Sequence, residues 1–353
     1  MKILDRYIRR SVLGASIIVL MIIVGLDLLS AFLAELEELG GAYQTKEALR
    51  YVLMTFPRRT AEFIPVAALI GCLVGLGALA NSSELIVMRA AGISVGRIVF
   101  SVLKPTVFIL LMGLGLSEKV VPYTEQIAES QRSLLKGGQD ALKSGHGLWH
   151  REKDEIVHIN AVTPDGRLYG ISRYQFDDEG NMLKASFSEE GVHENNGWNL
   201  SSSKSTELFA RHTEVVKLEN EQWLFALTPH NLSSAAVDPE FLDLLSLYRY
   251  ARYLDEQELN ASHYFLAFWK KLLQPLVTVA MVLIAVSFIF GPLRSVSMSF
   301  RVLVGVVVGL VFQQAQDFFG YASLVFNVEP LVAIVIPVSL CLVAGLFMMS
   351  RVR

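Results

Sequence analysis

The chain has 353 residues, of which 52% are hydrophobic and only 18% are charged, and its formal net charge is −3. It is therefore richer in apolar residues than an ordinary soluble domain, and its charge gives no reason to expect nucleic-acid binding. The apolar residues are concentrated in blocks, which favours membrane spans. Cys72 and Cys341 lie inside such blocks and are expected to be small buried apolar residues, not a disulfide or a metal pair.

Six apolar segments are long enough to cross a bilayer as helices. They lie at about 12–33, 60–80, 98–117, 266–290, 302–320 and 331–350. The first has about 22 residues and would extend roughly 33 Å as a helix. It is longer than the core of a signal peptide and no small-x-small cleavage site clearly follows, so we expect it to be retained. In the second, Ala67, Gly71 and Gly75 are four residues apart, which predicts a close helix contact.

The stretch NSSELIVMRAAGISVGR, at 81–97, separates the second and third spans and is predicted to form a short helix at the membrane surface. Asn81 is the expected N-cap with Glu84 closing a capping box, and Gly92 is the expected left-handed stop. Leu85, Met88 and Ala91 are predicted to form a small apolar face. One interpretation is a connector that lies flat on the membrane. Our hypothesis is that this helix is the handle through which an external engine moves the spans.

Basic residues predict the orientation of the spans. One side carries eleven: Lys2, Arg6, Arg9, Arg10, Arg89, Arg97, Lys104, Arg294, Arg301, Arg351 and Arg353. The short loops of the other side carry four, which are Lys46, Arg50, Arg58 and Arg59. We therefore expect both termini and the 81–97 helix to be cytoplasmic, with residues 290–295 as a tight cytoplasmic turn.

Residues 121–262 are predicted to be a second domain outside the membrane, between transmembrane parts at 1–120 and 263–353. Residues 123–144 are predicted to be a polar helix or linker, and 239–257 return to helical spacing. Strand-like pieces separated by turns lie at 155–162, 167–176, 182–193, 198–210, 213–218 and 221–227. Their number and the frequent turns favour an all-β sandwich or jelly roll.

The sequence offers no catalytic or metal site. It has no Gly-rich phosphate loop of the G-x-x-x-x-G-K-[ST] type, so any ATP would be hydrolysed by a partner. His146 and His150 have i, i+4 spacing, but they lie in the glycine-containing GHGLWH and no third ligand is evident, so a metal site is not expected. No serine stands in a setting that marks a nucleophile. We therefore expect this chain to bind no cofactor.

Charged and amide side chains inside the spans point to function, because each charge costs about 3 kcal/mol at the bilayer centre. Asp27 lies in the first span, and Gln313, Gln314 and Asp317 share a helical face with Leu310 in the fifth. Such a stripe is expected to face a cavity or another helix, and a plain polar helix contact is an equal alternative. Lys270 and Lys271 are predicted either to snorkel to the headgroups or to meet an anionic ligand.

Four segments resemble the LptF/LptG permeases of the Gram-negative lipopolysaccharide export system, an ABC transporter. They are LDRYI at 4–8, IPVAALIGCLVGLGALANSSELIVMRAAGIS at 64–94, GLWHR at 147–151 and SFIFGPLRSV at 287–296, the last more similar to LptG. The resemblance covers essentially the whole chain. It implies six transmembrane helices with an inserted periplasmic β-jelly roll, in a multi-pass protein of the inner membrane.

The resemblance also implies partners and site residues. The partners are an LptF paralogue, two LptB ATPase subunits that bind ATP and Mg²⁺, and the bitopic LptC. The short helix, about 81–93, would couple to the ATPase through Ser83, Glu84, Leu85, Met88, Arg89 and Gly92. Spans one and five would form lateral gates to a lipopolysaccharide cavity. Phe63 and Leu310 would line that cavity, and Gln313, Gln314 and Asp317 are candidates beside them.

One departure from the family concerns the lipid phosphates. LptG proteins often carry basic residues at the periplasmic end of span one, where this chain has Glu35-Leu36-Glu37-Glu38. Carboxylates repel phosphate unless divalent cations bridge them. The charge would then come from Lys46, Arg50, Arg58, Arg59 or Lys271.

Three other functions remain open from the sequence. The first is another ATP-driven extractor, for lipoproteins, although six spans argue against it. The second is a membrane-embedded enzyme acting on lipid headgroups, and the third is a proton-coupled transporter. The last two would both use Asp27 and Asp317.

Overall fold

The computed structural model describes residues 2–136 and 148–350, except for 153, 164, 178, 195–196, 210–211, 224, 226–227, 230, 233–236, 258, 291–295 and 327. These residues form two compact units. The first contains 1–29, 56–119 and 243–353, and the second contains 30–55 and 120–242. His146 and the predicted turn at 291–295 lie outside the described residues.

The described part of the chain contains helices and one β-sheet. The helices are α1 (Lys2–Glu37), α2 (Thr45–Met54), α3 (Phe56–Asn81), α4 (Glu84–Ala90), α5 (Val95–Lys119), α6 (Val121–Lys136), α7 (Leu244–Glu256), α8 (Ser262–Phe290), α9 (Met298–Val325) and α10 (Pro330–Ser350), with a 3₁₀ turn at Pro239–Phe241. Six of them, α1, α3, α5, α8, α9 and α10, are long and apolar enough to cross a membrane, which confirms the predicted number of spans.

The packing of α1 against α3 depends on glycine. A methyl group added at Gly75 would lie 2.8 Å from Val12 Cα, and one added at Gly71 would lie 2.7 Å from Ser16 Cβ. Ser11 donates a hydrogen bond to the carbonyl of Gly75 at 3.1 Å. The small-residue spacing thus predicts the contact correctly, because only a bare backbone lets the two helices approach this closely.

The core of the first unit is formed by α3, α8 and the helices packed on them. Leu69, Leu73, Val282 and Val286 are completely buried there, in one apolar cluster. By contrast, the apolar window of α1 is only 6% buried and that of α9 only 17%, against 67% for α3. The two helices α1 and α9 are therefore the least enclosed spans of the unit.

The second unit is built on a six-stranded antiparallel sheet in which each strand pairs with its neighbour in the chain. The strands are β1 (Leu148–Glu152), β2 (Glu155–Val162), β3 (Leu168–Phe176), β4 (Met182–Glu194), β5 (Gly197–Leu208) and β6 (Thr213–Trp223). Four of the predicted pieces are confirmed. The pieces 213–218 and 221–227 are wrong as separate strands, because β6 continues without a break from residue 213 to residue 223. Strand β1 was not predicted.

Buried apolar side chains fill one side of this sheet. Ile159, Leu168, Ile171 and Leu200 are completely buried, and Trp198 is 1% exposed. Helix α6 packs against β2, and Ser130 of α6 donates a hydrogen bond to the carbonyl of Val162 at 3.0 Å. The helix predicted after residue 123 is thus present up to residue 136. The predicted β domain is present, although α2 and α6 belong to the same unit, and its identification as a jelly roll stays a prediction.

Candidate coupling helix and polar sites

The beginning of α4 differs from the prediction. Helix α3 continues through Asn81, and α4 begins at Glu84 after Ser83, which has φ +60° and makes no side-chain cap. The capping box is therefore wrong: Ser82, rather than Asn81, donates to the Glu84 carboxylate, at 2.8 Å. The side-chain oxygen of Asn81 accepts a hydrogen bond from Arg301 instead, at 3.1 Å.

The end of α4 is as predicted. Gly92 has φ +86°, in the left-handed region. The N–H of Ile93 donates to the carbonyl of Met88 at 3.1 Å, and the N–H of Gly92 donates to that of Arg89 at 3.0 Å. This pair of bonds is a Schellman motif, which satisfies the last carbonyls of the helix. A left-handed residue at each end therefore makes α4 a separate short helix between two spans.

The two sides of α4 have different surroundings. Leu85 and Met88 are buried in the core cluster of the first unit, whereas Ala91 is exposed. Two of the three residues of the predicted apolar face, Leu85 and Met88, therefore anchor the helix to its own chain, and Ala91 is not part of this buried face. The outward face carries Ile86 and Val87, which are 50% and 66% exposed, together with Arg89.

Each acidic residue that the sequence places inside a span has a basic partner. Asp27 of α1 forms an ion pair with Arg59 of α3. Asp317 of α9 accepts a hydrogen bond from Lys270 of α8 at 3.0 Å. These pairs join neighbouring helices, and for Asp317 this is the helix-contact alternative considered for its stripe. Lys270 is thus not simply a snorkelling side chain.

The other candidate phosphate contacts fall into two groups. Lys271 is 7% exposed, lies 3.1 Å from Glu118 and donates to the carbonyl of Ser117 at 3.1 Å, so it is buried rather than snorkelling. Arg58 lies 3.7 Å from Glu62, one turn along α3. Lys46 and Arg50 of α2 are instead exposed. Three of the five predicted cations thus already have a carboxylate beside them.

The predicted cavity residues on α9 present a mixed surface. Leu310 is 52% exposed, and Gln313 and Gln314 are also exposed, while Asp317 is half-buried against Lys270. Phe63 of α3 is half-buried. Three members of the predicted stripe are therefore exposed, and Asp317 is hydrogen-bonded to a neighbouring helix.

The second unit contains an ionic network that the sequence analysis did not predict. Arg132 of α6 lies 3.0 Å from Glu35 and 2.6 Å from Glu38, and Lys136 forms an ion pair with Glu38. Tyr43 donates to Glu35 at 2.8 Å. Burial, and then the hydrogen bond to Glu35, raise the pKa of Tyr43 above its usual range. Cations of the same unit thus pair with Glu35 and Glu38, two of the three carboxylates at the end of α1.

A signal for this network is present in the sequence. Arg132 and Lys136 are four residues apart on a polar helix, and Glu35 and Glu38 are three apart on another, so each pair shares a helical face. Only the fold shows that the two faces meet. Among the described residues, no group of three or more His, Cys, Asp and Glu side chains could hold a metal ion.

Comparison with known proteins places this arrangement among lipid exporters. The family model for "Lipopolysaccharide export system permease LptF/LptG" matches residues 6–351. The permease protein LptG of the lipopolysaccharide export system of Escherichia coli K12 is 33% identical over 357 residues, covering 99% of this chain and 98% of the relative. LptG of Haemophilus influenzae is likewise 33% identical, covering 99% of each chain.

Proposed function

Because the chain belongs to the LptF/LptG family of lipopolysaccharide export permeases, we propose that it is the LptG-like permease subunit of an ATP-driven exporter. It extracts lipopolysaccharide from the outer leaflet of the inner membrane and passes it to a periplasmic bridge. The chain is a transporter subunit and not an enzyme. ATP and Mg²⁺ bind to two LptB subunits, and the other partners are an LptF paralogue and LptC.

The construction of α4 is the observation that carries this proposal. Leu85 and Met88 fix the helix to the spans, while Ile86 and Val87 leave apolar area uncovered beside Glu84 and Arg89. An exposed apolar patch rimmed by charges on a short helix is typical of a protein contact. We place this face in a groove of the ATPase, on the cytoplasmic side together with both termini.

The cargo explains why an external engine is needed. Lipopolysaccharide carries several acyl chains, and apolar burial is worth about 25 cal/mol per Å². The weakly enclosed helices α1 and α9 expose large apolar side chains, including Met21 and Leu26 on α1 and Leu310 on α9. We propose that these faces, with Phe63, form the gates and walls of the lipid cavity. Gln313 and Gln314 add polar contacts at its wall.

We assign the contact with the lipid phosphates first to Lys46 and Arg50. Both are exposed on α2, and among the described residues neither has a carboxylate partner that it would lose on meeting an anion. Arg58, Arg59 and Lys271 would first have to leave Glu62, Asp27 and Glu118. Breaking a buried ion pair costs about 3–5 kcal/mol, which disfavours Lys271 most.

The inserted domain is proposed to be periplasmic and to stack as a jelly roll with LptC. Its antiparallel six-stranded sheet supports this role, since the two edge strands, β1 and β6, can each be extended by a strand of a partner. Charged residues along β6 would limit edge pairing with unrelated chains.

The test of the proposed function uses Val87→Asp, with Val87→Ile as the matched control. The complex with its ATPase is reconstituted in proteoliposomes with lipopolysaccharide, and release to an acceptor is measured beside ATP hydrolysis. We expect Val87→Asp to lose most of the ATP-dependent release, because a carboxylate is buried in an apolar contact. The isoleucine variant should behave as the unsubstituted chain does.

Normal release by Val87→Asp would contradict the coupling role of this face. The lipid that copurifies with the complex separates the proposal from the lipoprotein extractor. Recovery of triacylated lipoprotein in place of lipopolysaccharide would refute the cargo assignment.

A further inference from the structure

The N-terminal turns of α1 are attached to the segment that directly follows α4. The Asp5 carboxylate of α1 accepts hydrogen bonds from Arg97 Nη2 at 3.3 Å and from Ser101 Oγ at 3.1 Å. Arg97 and Ser101 lie in the first two turns of α5, which begins at Val95. We refer to this group, Asp5, Arg97 and Ser101, as the α1 clamp.

An apolar contact lies beside the α1 clamp. Ile8 of α1 is 1% exposed and belongs to the same buried cluster as Leu85 and Met88 of α4. The first two turns of α1 therefore pack in the cluster that holds the coupling helix, and they bond to the segment beyond it through polar groups.

A second attachment joins α9 to the segment that directly precedes α4. Arg301, in the first turn of α9, is 1% exposed. Its Nη1 donates to the carbonyl of Gly77 at 2.9 Å and to Asn81 Oδ1 at 3.1 Å. Both acceptors lie in the last turn of α3, where the helix dipole also favours a cation. We refer to Arg301, Gly77 and Asn81 as the α9 clamp.

The two clamps attach the segments on either side of α4 to α1 and α9, which are the least buried spans of the unit. Only 6% of the apolar stretch of α1 and 17% of that of α9 are buried within the protein. Weakly packed helices reorient at lower cost than enclosed ones, and a charged hydrogen bond fixes direction as well as distance. A displacement of α4 shifts the end of α3 and the beginning of α5, which are the two points that the clamps hold.

We propose that Asp5 and Arg301 are positioning residues for transport, and that they transmit the movement of α4 to α1 and α9 respectively. This inference rests on the proposed function for its engine, the ATPase that moves α4. It goes further in assigning one polar connection to each moving helix. The connections are hydrogen bonds between discrete helices, and contacts of this kind can carry energetic coupling between distant sites.

The experiment measures helix movement separately from lipid release. Spin labels are placed at Met21→Cys on α1 and Val311→Cys on α9, which are 63% and 64% exposed, in a Cys341→Ala background. Distances between labels are recorded in the complex with its ATPase, without nucleotide and with trapped ATP. ATP hydrolysis, complex assembly and lipopolysaccharide release are measured on the same samples.

Charge reversal tests the α1 clamp, because Asp5→Arg and Arg97→Asp each place like charges together, whereas the double variant restores an opposite pair. We expect each single variant to keep at least half of the hydrolysis, to lose the nucleotide-dependent distance change, and to release lipid at least tenfold more slowly. The double variant should recover release to within about threefold. Arg10→Ala, an exposed position on α1, is the control and should change none of these.

Asn81→Leu tests the α9 clamp, since it removes one acceptor of Arg301 at similar side-chain volume. We expect reduced movement of the α9 label with hydrolysis retained. The inference would be overturned if the labels of the single variants moved as they do in the unsubstituted complex. It would also be overturned if the double variant assembled but did not recover lipopolysaccharide release, or if ATP hydrolysis and lipopolysaccharide release fell in proportion. If ATP moves the labels of the unsubstituted complex but the complex releases no lipopolysaccharide, the role of the two clamps is upheld and the proposed cargo is refuted.

Discussion

Replacing Gly75 by alanine should separate α1 from α3. The added methyl group would lie 2.8 Å from Val12 Cα and 3.1 Å from the carbonyl oxygen of Ser11, both of which are backbone atoms. Carbon atoms are in favourable contact at about 3.5–4.0 Å, so α1 has to move by about 1 Å. No side-chain rotation can provide this space. The helices therefore either separate or retain a steric clash.

The expected change in the free energy of unfolding for Gly75→Ala follows from three contributions. Overpacking costs about 1–3 kcal/mol. Loss of the hydrogen bond from Ser11 to Gly75 costs about 0.6 kcal/mol more in a membrane protein. Alanine returns about 1 kcal/mol through its higher helix propensity. The net loss is then about 1–3 kcal/mol. Gly14→Ala on α1 has no atom within 4 Å of the added methyl group, so it should only gain stability, by about 0.5–1 kcal/mol.

The free energy of unfolding of both variants can be measured in mixed micelles by titration with sodium dodecyl sulfate. We expect the two to differ by about 2–4 kcal/mol, with Gly75→Ala the less stable. Ser11→Ala serves as a second control, because it removes the hydrogen bond without adding volume. Equal stability of Gly75→Ala and Gly14→Ala would refute the close approach of α1 and α3.

Two further predictions concern buried polar groups. Lys271→Met should destabilise the chain by about 3–5 kcal/mol, because it leaves the Glu118 carboxylate without this cation. The double variant Lys271→Met with Glu118→Gln should recover a large part of the lost stability. Chemical unfolding of both variants and of the unsubstituted chain measures both effects. Tyr51→Phe should reduce the loss of stability at alkaline pH. Burial, and then the charge of Glu129, raise the pKa of the Tyr51 phenol, so its contribution is complete below about pH 10, where the unfolded phenol begins to ionise, and is lost as the pH rises further. Thermal unfolding between pH 8 and 11 tests this, and parallel curves for the two proteins would contradict it.

Features that depend on nearby residues could be predicted from the sequence. The six spans follow from length and hydropathy, and the structure has six such helices. The contact through Gly71 and Gly75 follows from spacing, and the stop at Gly92 follows from the conformational freedom of glycine. Each of these signals lies within one or two turns of helix, so no knowledge of the fold is needed.

Features that depend on distant residues could not be predicted in the same way. Asn81 resembles an N-cap by sequence, yet its amide oxygen is taken by Arg301, 220 residues further along the chain. Similarly, the periodicity of Leu85 and Met88 correctly indicates an apolar face, but it cannot show whether that face meets a partner or the chain's own core. The core takes that face here, which leaves Ile86 and Val87 outside.

The ion pairs of the spans show what this difference means for the cargo. Read singly, the acidic and basic residues in the spans are free charges that invite catalytic, proton-carrying or phosphate-binding roles. In the structure, Asp27 and Asp317 are each paired with a cation of a neighbouring helix. The charges of these two pairs thus serve to join helices, and we propose that recognition of an anionic headgroup falls to cations that remain exposed, such as Lys46 and Arg50.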